Sequence, residues 1–151
     1  MSETNITMAE LEAIVAGNTA GINESWHLVA CILVFMMQAG FALLEVGSVQ
    51  STNAQNILFK NILDACISAI CFWLLGYGFA YGQDAGGFTG TSYFALADPS
   101  FTATASPDTD GLNFHTFFFQ WCFAATAATI VSGSVAERCA LSAYLAYSAI
   151  I

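Results

Sequence analysis

The sequence predicts an all-α membrane protein. Three observations point there: 57% of its 151 residues are hydrophobic, only 9% are charged, and the apolar residues gather into runs long enough to cross a bilayer. A soluble domain carries roughly 25% charged residues, so this chain lacks the polar surface needed to wrap a core in water. Strands of a membrane barrel alternate apolar and polar residues over about ten positions. The runs here are continuous and longer, which selects helices.

Residues 1–25 are polar and acidic and carry no basic leader region, so they read as an N-terminal segment outside the lipid. The three long runs predict helices over residues 26–49, 57–81 and 114–135. At ~1.5 Å per residue each reaches or exceeds the ~30 Å hydrocarbon core. A fourth run begins at Ala140 and is still apolar at Ile151. It covers about 18 Å, so the expectation is three complete helices plus the start of a fourth, the N-terminal part of a larger membrane protein.

Charge supplies the orientation. The formal net charge is −9, and the chain has only two basic residues, Lys60 and Arg138. Both flank short loops, whereas Asp84, Asp98, Asp108 and Asp110 fall in the long loop 83–113, which has no Lys or Arg. Cytoplasmic loops attract Lys and Arg, so the N-terminus and loop 83–113 are expected outside. An acidic outer surface concentrates cations rather than nucleic acid. The five cysteines lie in or beside helices without a CxxC pair and read as small apolar residues, so no metal site or cofactor is expected.

Polar residues inside the runs need a reason. Gln38 is deep in the first helix and is expected to face another helix. Glu45, Lys60 and Asp64 lie near the predicted cytoplasmic ends, where long side chains reach the interface. Lys60 and Asp64, four apart, share a helix face. An interfacial ion pair is the favoured reading; a cation relay is the alternative. The second run ends in "GYGFAYG", whose small residues Gly76, Gly78, Ala80 and Gly82 suit close packing against a neighbour. Loop 83–113 contains "GGFTGTSYFAL", which mixes glycine with aromatics and is expected to fold over the outer mouth.

The third run opens with a crowd of rings, "FFFQWCF". Phe117, Phe118 and Trp121 are explained by the aromatic belt at a membrane boundary. Phe119 and Phe123 are four apart and stack on one face, the second about 6 Å deeper. That face continues through Thr126, Ala127, Ile130 and Ser134, while Ala124, Ala128 and Ser132 form a separate small stripe suited to tight packing. Spacing alone leaves two readings of the ring pair: a constriction at a pore mouth, or a core or lipid-facing pair.

The stretch "FQWCFAATAATIVSGSVAER" resembles the third-helix signature of the Amt/Mep/Rh ammonium transporter family, in which F/Y-Q-x-x-F precedes small residues and G-x-x-A-E-R. Other segments agree in order: "MQAGFALLEVGSVQSTNAQNILFKNILDA" resembles the first hairpin, "GYGFAYG" the end of the second helix, and "GGFTGTSYFAL" the first long outer loop. The resemblance covers residues 26–151 and is closest to the plant-type, algal and bacterial Amt branch.

The resemblance implies an eleven-helix protomer in a homotrimer, multi-pass in the plasma membrane, with one path for ammonium or ammonia through each subunit. It implies a transporter and no enzyme. Ammonium is held in an aromatic vestibule, passes stacked phenylalanines, and enters a hydrophobic pore with paired histidines. Phe119 matches the upper ring, which also helps form the vestibule, and Phe123 matches the lower, gating ring. The vestibule Trp and Ser, the conserved Asp and the pore histidines belong to later helices. His27 and His115 lie at predicted outer helix starts and match none of these positions. An ammonium sensor that retains the fold is the alternative, and the 151-residue segment alone is expected to transport nothing.

Overall fold

A computed structural model describes residues 7–98, 101 and 114–151. The first helix, α1, spans Met8–Ser48. Its start is fixed by a capping box: the Thr7 N–H donates to Glu10 Oε2 at 2.8 Å, and the Glu10 N–H donates to Thr7 Oγ1 at 3.3 Å, which satisfies two amides that a helix N-terminus leaves open. The predicted start at Trp26 is therefore corrected to Met8. Helix formers such as Ala, Leu and Glu in "MAELEAIVAG" continue the helix beyond the apolar run. Hydropathy marks only the part that matches lipid.

The chain leaves α1 through extended Val49, makes a 3₁₀ turn at Ser51–Asn53, and enters α2, Ala54–Cys71. A π-helical segment, Phe72–Gly76, links it to α3, Tyr77–Tyr81. The Tyr77 N–H donates to the Phe72 carbonyl, five residues back, and this local widening turns both rings toward the fourth helix. α4 spans Phe114–Val135 and α5 Leu141–Ile150. The long apolar helices predicted at 57–81 and 114–135 are present, the former starting slightly earlier and interrupted by the π segment.

Cross-helix bonds fix the directions. Cys31 Sγ contacts the His115 carbonyl at 3.8 Å, Gln38 donates to Thr129, Ser132 donates to Glu45, and the Gln50 N–H donates to Glu137. Rising numbers on α1 meet rising numbers on α4, so these helices run parallel. Contacts of α2 and α3 with α4 run the other way, from Asn53–Glu137 through Asp64–Thr129 to Tyr77–Phe117. The seam between them is closed by small buried residues, Ala125, Ala128 and Ser132, which let backbones approach. α5 returns beside α2, where Ser148 meets Asp64.

The small residues ending the second run are closely packed, and their neighbour is the loop that follows. An isolated bridge pairs Asp84 with Gly90, and the Gly90 N–H donates to the Phe79 carbonyl at 3.0 Å. A Cβ on Gly90 would lie 2.2 Å from the Gly78 carbonyl oxygen. The glycines thus admit the loop onto the helix end. Tyr93, Ala95 and Leu96 adopt positive φ, and the Phe94 ring packs edge-on to Phe79 at 5.3 Å. Residues 99–100 and 102–113 of the predicted outer loop lie outside the described residues.

Candidate functional site

Two features stand out: an aromatic group at the His27 and His115 end of the bundle, and a buried polar network toward the other end. Phe119 and Phe123 lie one turn apart on α4 with ring centroids 5.1 Å apart and planes at 79°. This is the edge-to-face arrangement favoured by ring quadrupoles. His27 sets its edge against Phe119 at 6.1 Å and stacks on His115 at 5.0 Å. Nothing in the spacing of His27 and His115 pairs them. Parallel packing of α1 and α4 brings them together.

Phe123 is 45% exposed, and Ala127, Ile130 and Ser134 below it are exposed as well. The predicted stripe therefore faces away from α1, α2 and α5, except for Thr126, which is buried and donates to the Cys122 carbonyl. On the other flank Phe117 packs against Phe72 and Tyr77 at 5.6 and 5.3 Å. Phe101 packs edge-on to Tyr77 and Phe114. Of the rings assigned to a membrane belt, Phe117 joins this cluster, while Phe118 and Trp121 pair with each other at 5.4 Å.

Toward the other end the helices share polar side chains. Gln38 Nε2 donates to Thr129 Oγ1, whose hydroxyl donates to Asp64 Oδ2 at 2.8 Å, and the Ser148 hydroxyl donates to Asp64 Oδ1. A turn away, Glu45 Oε2 accepts from Asn61 Nδ2 at 2.9 Å and from Ser132 Oγ at 3.0 Å. Gln38, Glu45, Asn61, Asp64, Thr129, Ser132 and Ser148 are all buried. Such groups persist in a membrane interior by bonding to one another.

This overturns two expectations. Glu45 does not reach the interface; it is buried among Asn61 and Ser132. Lys60 and Asp64 do not form the expected pair, because the Lys60 ammonium donates to the carbonyls of Ala136 and Cys139 at 3.2 and 3.0 Å, in the turn that follows α4. The missed signal was periodicity among polar residues: Gln38 and Glu45, Asn61 and Asp64, Thr129 and Ser132 each recur at helical spacing within apolar runs. Gln38 faces α4 as expected.

Glu137, beyond the end of α4, ties the two hairpins together. It accepts from the Gln50 N–H at 3.0 Å and from Asn53 Nδ2 at 3.2 Å. These donors, the Gln50 amide foremost, hold its carboxyl below the usual carboxylate range. Cys31, Cys66, Cys71, Cys122 and Cys139 are all free thiols. Among the described residues no group of three or more His, Cys, Asp or Glu side chains is placed to hold a metal ion.

The chain matches the model of the Ammonium Transporter Family over residues 25–151. It is 41% identical over 146 residues to a putative ammonium transporter 1 of Caenorhabditis elegans, covering 95% of this chain and 25% of that protein. It is 42% identical over 134 residues to ammonium transporter 1 member 3 of Solanum lycopersicum, covering 88% and 27%. A solved structure described as a sensor Amt protein superposes with a TM-score of 0.79 at 38% identity, covering 89% of this chain and 32% of that one. The chain spans about a quarter to a third of the length of these three proteins.

Proposed function

Because the chain belongs to the ammonium transporter family, and is a multi-pass membrane protein with three helices among the described residues long and apolar enough to cross a bilayer, we propose that the protein built on it conducts ammonium or ammonia, with Phe119 and Phe123 at the entrance. The observation that carries this reading is the edge-to-face pair itself, set one turn apart on α4, with His27 of α1 against the Phe119 ring and the Phe123 ring exposed. A ring face holds a cation by about 0.5–2 kcal/mol. Beyond it a dry path penalises charge, so ammonium is driven to give up its proton. Potassium has no proton to give up, which supplies selectivity.

The orientation that fits the two basic residues places the N-terminus and the Phe119 end outside and Lys60 and Arg138 inside, in the plasma membrane. A homotrimer and a place in the plant-type, algal and bacterial Amt branch belong to the same reading. Substituting Phe123 by Ala in the intact protein and measuring ammonium flux tests it. Unchanged flux and selectivity with normal insertion would remove the gate from this position.

A second reading has one observation in its favour, the likeness to a sensor Amt protein. An ammonium sensor would keep the same rings to recognise the ion. Ligand-dependent signalling without net flux in reconstituted vesicles separates it from transport.

A further inference from the structure

We propose that Glu45 is a proton-binding site served from the Arg138 side of the membrane, away from the Phe119 and Phe123 rings. The side chain is 5% exposed. Its Oε2 already accepts from two donors, Asn61 and Ser132. Its Oε1 is buried and has no hydrogen-bond partner among the described residues. Lone pairs of a carboxylate buried at this depth need a donor or a proton.

Access is built into the same place. Glu45 stands in the wall of a cavity of about 470 Å³ between α1 and α4, together with Ser48, Gly133, Glu137 and Arg138. Glu137 and Arg138 lie past the end of α4, so the cavity connects Glu45 with the membrane surface on that side. Gly133 faces the carboxylate from the cavity side, where a Cβ would lie 3.8 Å from Oε1. That is ordinary contact distance, enough to cover the oxygen without displacing it.

The groups facing Glu45 leave it the proton acceptor. From α2, Asp64 and Lys60 act on it electrostatically, but the Asp64 oxygens are held by Thr129 and Ser148 and the Lys60 ammonium by two carbonyls. From α5, Tyr144 and Tyr147 lie close enough to feel its charge. Glu137 and Arg138 stand in the cavity wall, where Glu137 accepts from Gln50 and Asn53. A proton from solution then adds to Oε1, converting carboxylate to carboxylic acid, and no other bond changes.

Infrared difference spectroscopy on the full-length protein in oriented vesicles tests this. Lowering pH on the Arg138 side should raise a carboxylic-acid carbonyl band. Glu45→Gln should abolish it, Asp64→Asn should leave it, and Gly133→Ala should keep its amplitude while slowing its appearance several-fold. A band that survives Glu45→Gln, or follows pH on the opposite side, overturns the site; an undelayed rise in Gly133→Ala overturns the cavity as its route. Ammonium flux in the same vesicles reports the transport reading separately, because the band does not require conduction.

Discussion

Gln38 and Asp64, on different helices, are joined by one hydroxyl: Thr129 accepts from the first and donates to the second. A single side chain of α4 thereby connects α1 to α2, and Ser148 brings α5 to the same carboxylate.

Thr129→Val should accordingly lower stability more than the loss of one bond. Interhelical hydrogen bonds in membranes average ~0.6 kcal/mol, but removing this hydroxyl also strands a carboxylate oxygen and an amide, which costs ~1–3 kcal/mol. Thr129→Ser, which keeps the oxygen, should recover most of that. Thermal unfolding in detergent compares the two, and equal loss in both would show that the methyl rather than the hydroxyl matters.

Phe119→Leu keeps the bulk and removes the ring quadrupole. Cation–ring attraction of about 0.5–2 kcal/mol translates into a roughly 2- to 30-fold weaker apparent affinity for ammonium. Phe123→Ala should instead alter flux and selectivity while leaving insertion intact, since Phe123 is 45% exposed and contributes little packing within this segment. Concentration-dependent uptake of a labelled ammonium analogue distinguishes the two effects.

Gly90→Ala should detach the loop from the end of α3. The added carbon would meet the Gly78 carbonyl oxygen at 2.2 Å and the Gly82 Cα at 2.7 Å, both backbone atoms that cannot rotate aside. Limited proteolysis between residues 83 and 98 should become faster, while cutting elsewhere in the bundle stays unchanged.

The Glu137 clamp has a defined pH dependence. Its carboxyl is held below the usual range by Gln50 and Asn53, so the folded form favours the ionised group. The stabilisation is fully present above the ordinary carboxylate pKa of about 4.3 and is lost as pH falls through the lowered folded value. The difference in melting temperature between the parent and Glu137→Gln should therefore be constant near neutrality and shrink in acid. A difference that grows in acid would contradict the clamp.

The long apolar helices were legible because lipid imposes a length and a hydropathy that any spanning segment must meet. The start of α1 was not, because its capping box and exposed first turns answer to helix propensity rather than to lipid. Phe119 and Phe123 could be set on one face from their spacing. His27 of α1 meets the Phe119 ring, while the Phe123 ring is exposed. Glu45, Asp64 and Lys60 were placed at the interface because charge in lipid is costly. Partners far along the chain, Ser132, Thr129 and Ala136, change that cost, and only the tertiary arrangement shows them. The polar face recurring through Asn61, Asp64 and Ser68 was the available hint.

At ~1.5 Å per residue, about 27 Å of unbroken helix separates Met8 from Trp26. It continues rigidly into the part of α1 gripped through Gln38 and Glu45. A slight tilt at that grip is magnified at the far tip, as by a lever. A spectroscopic label near Met8 would therefore register rearrangements of the buried seam that are too small to detect where they occur.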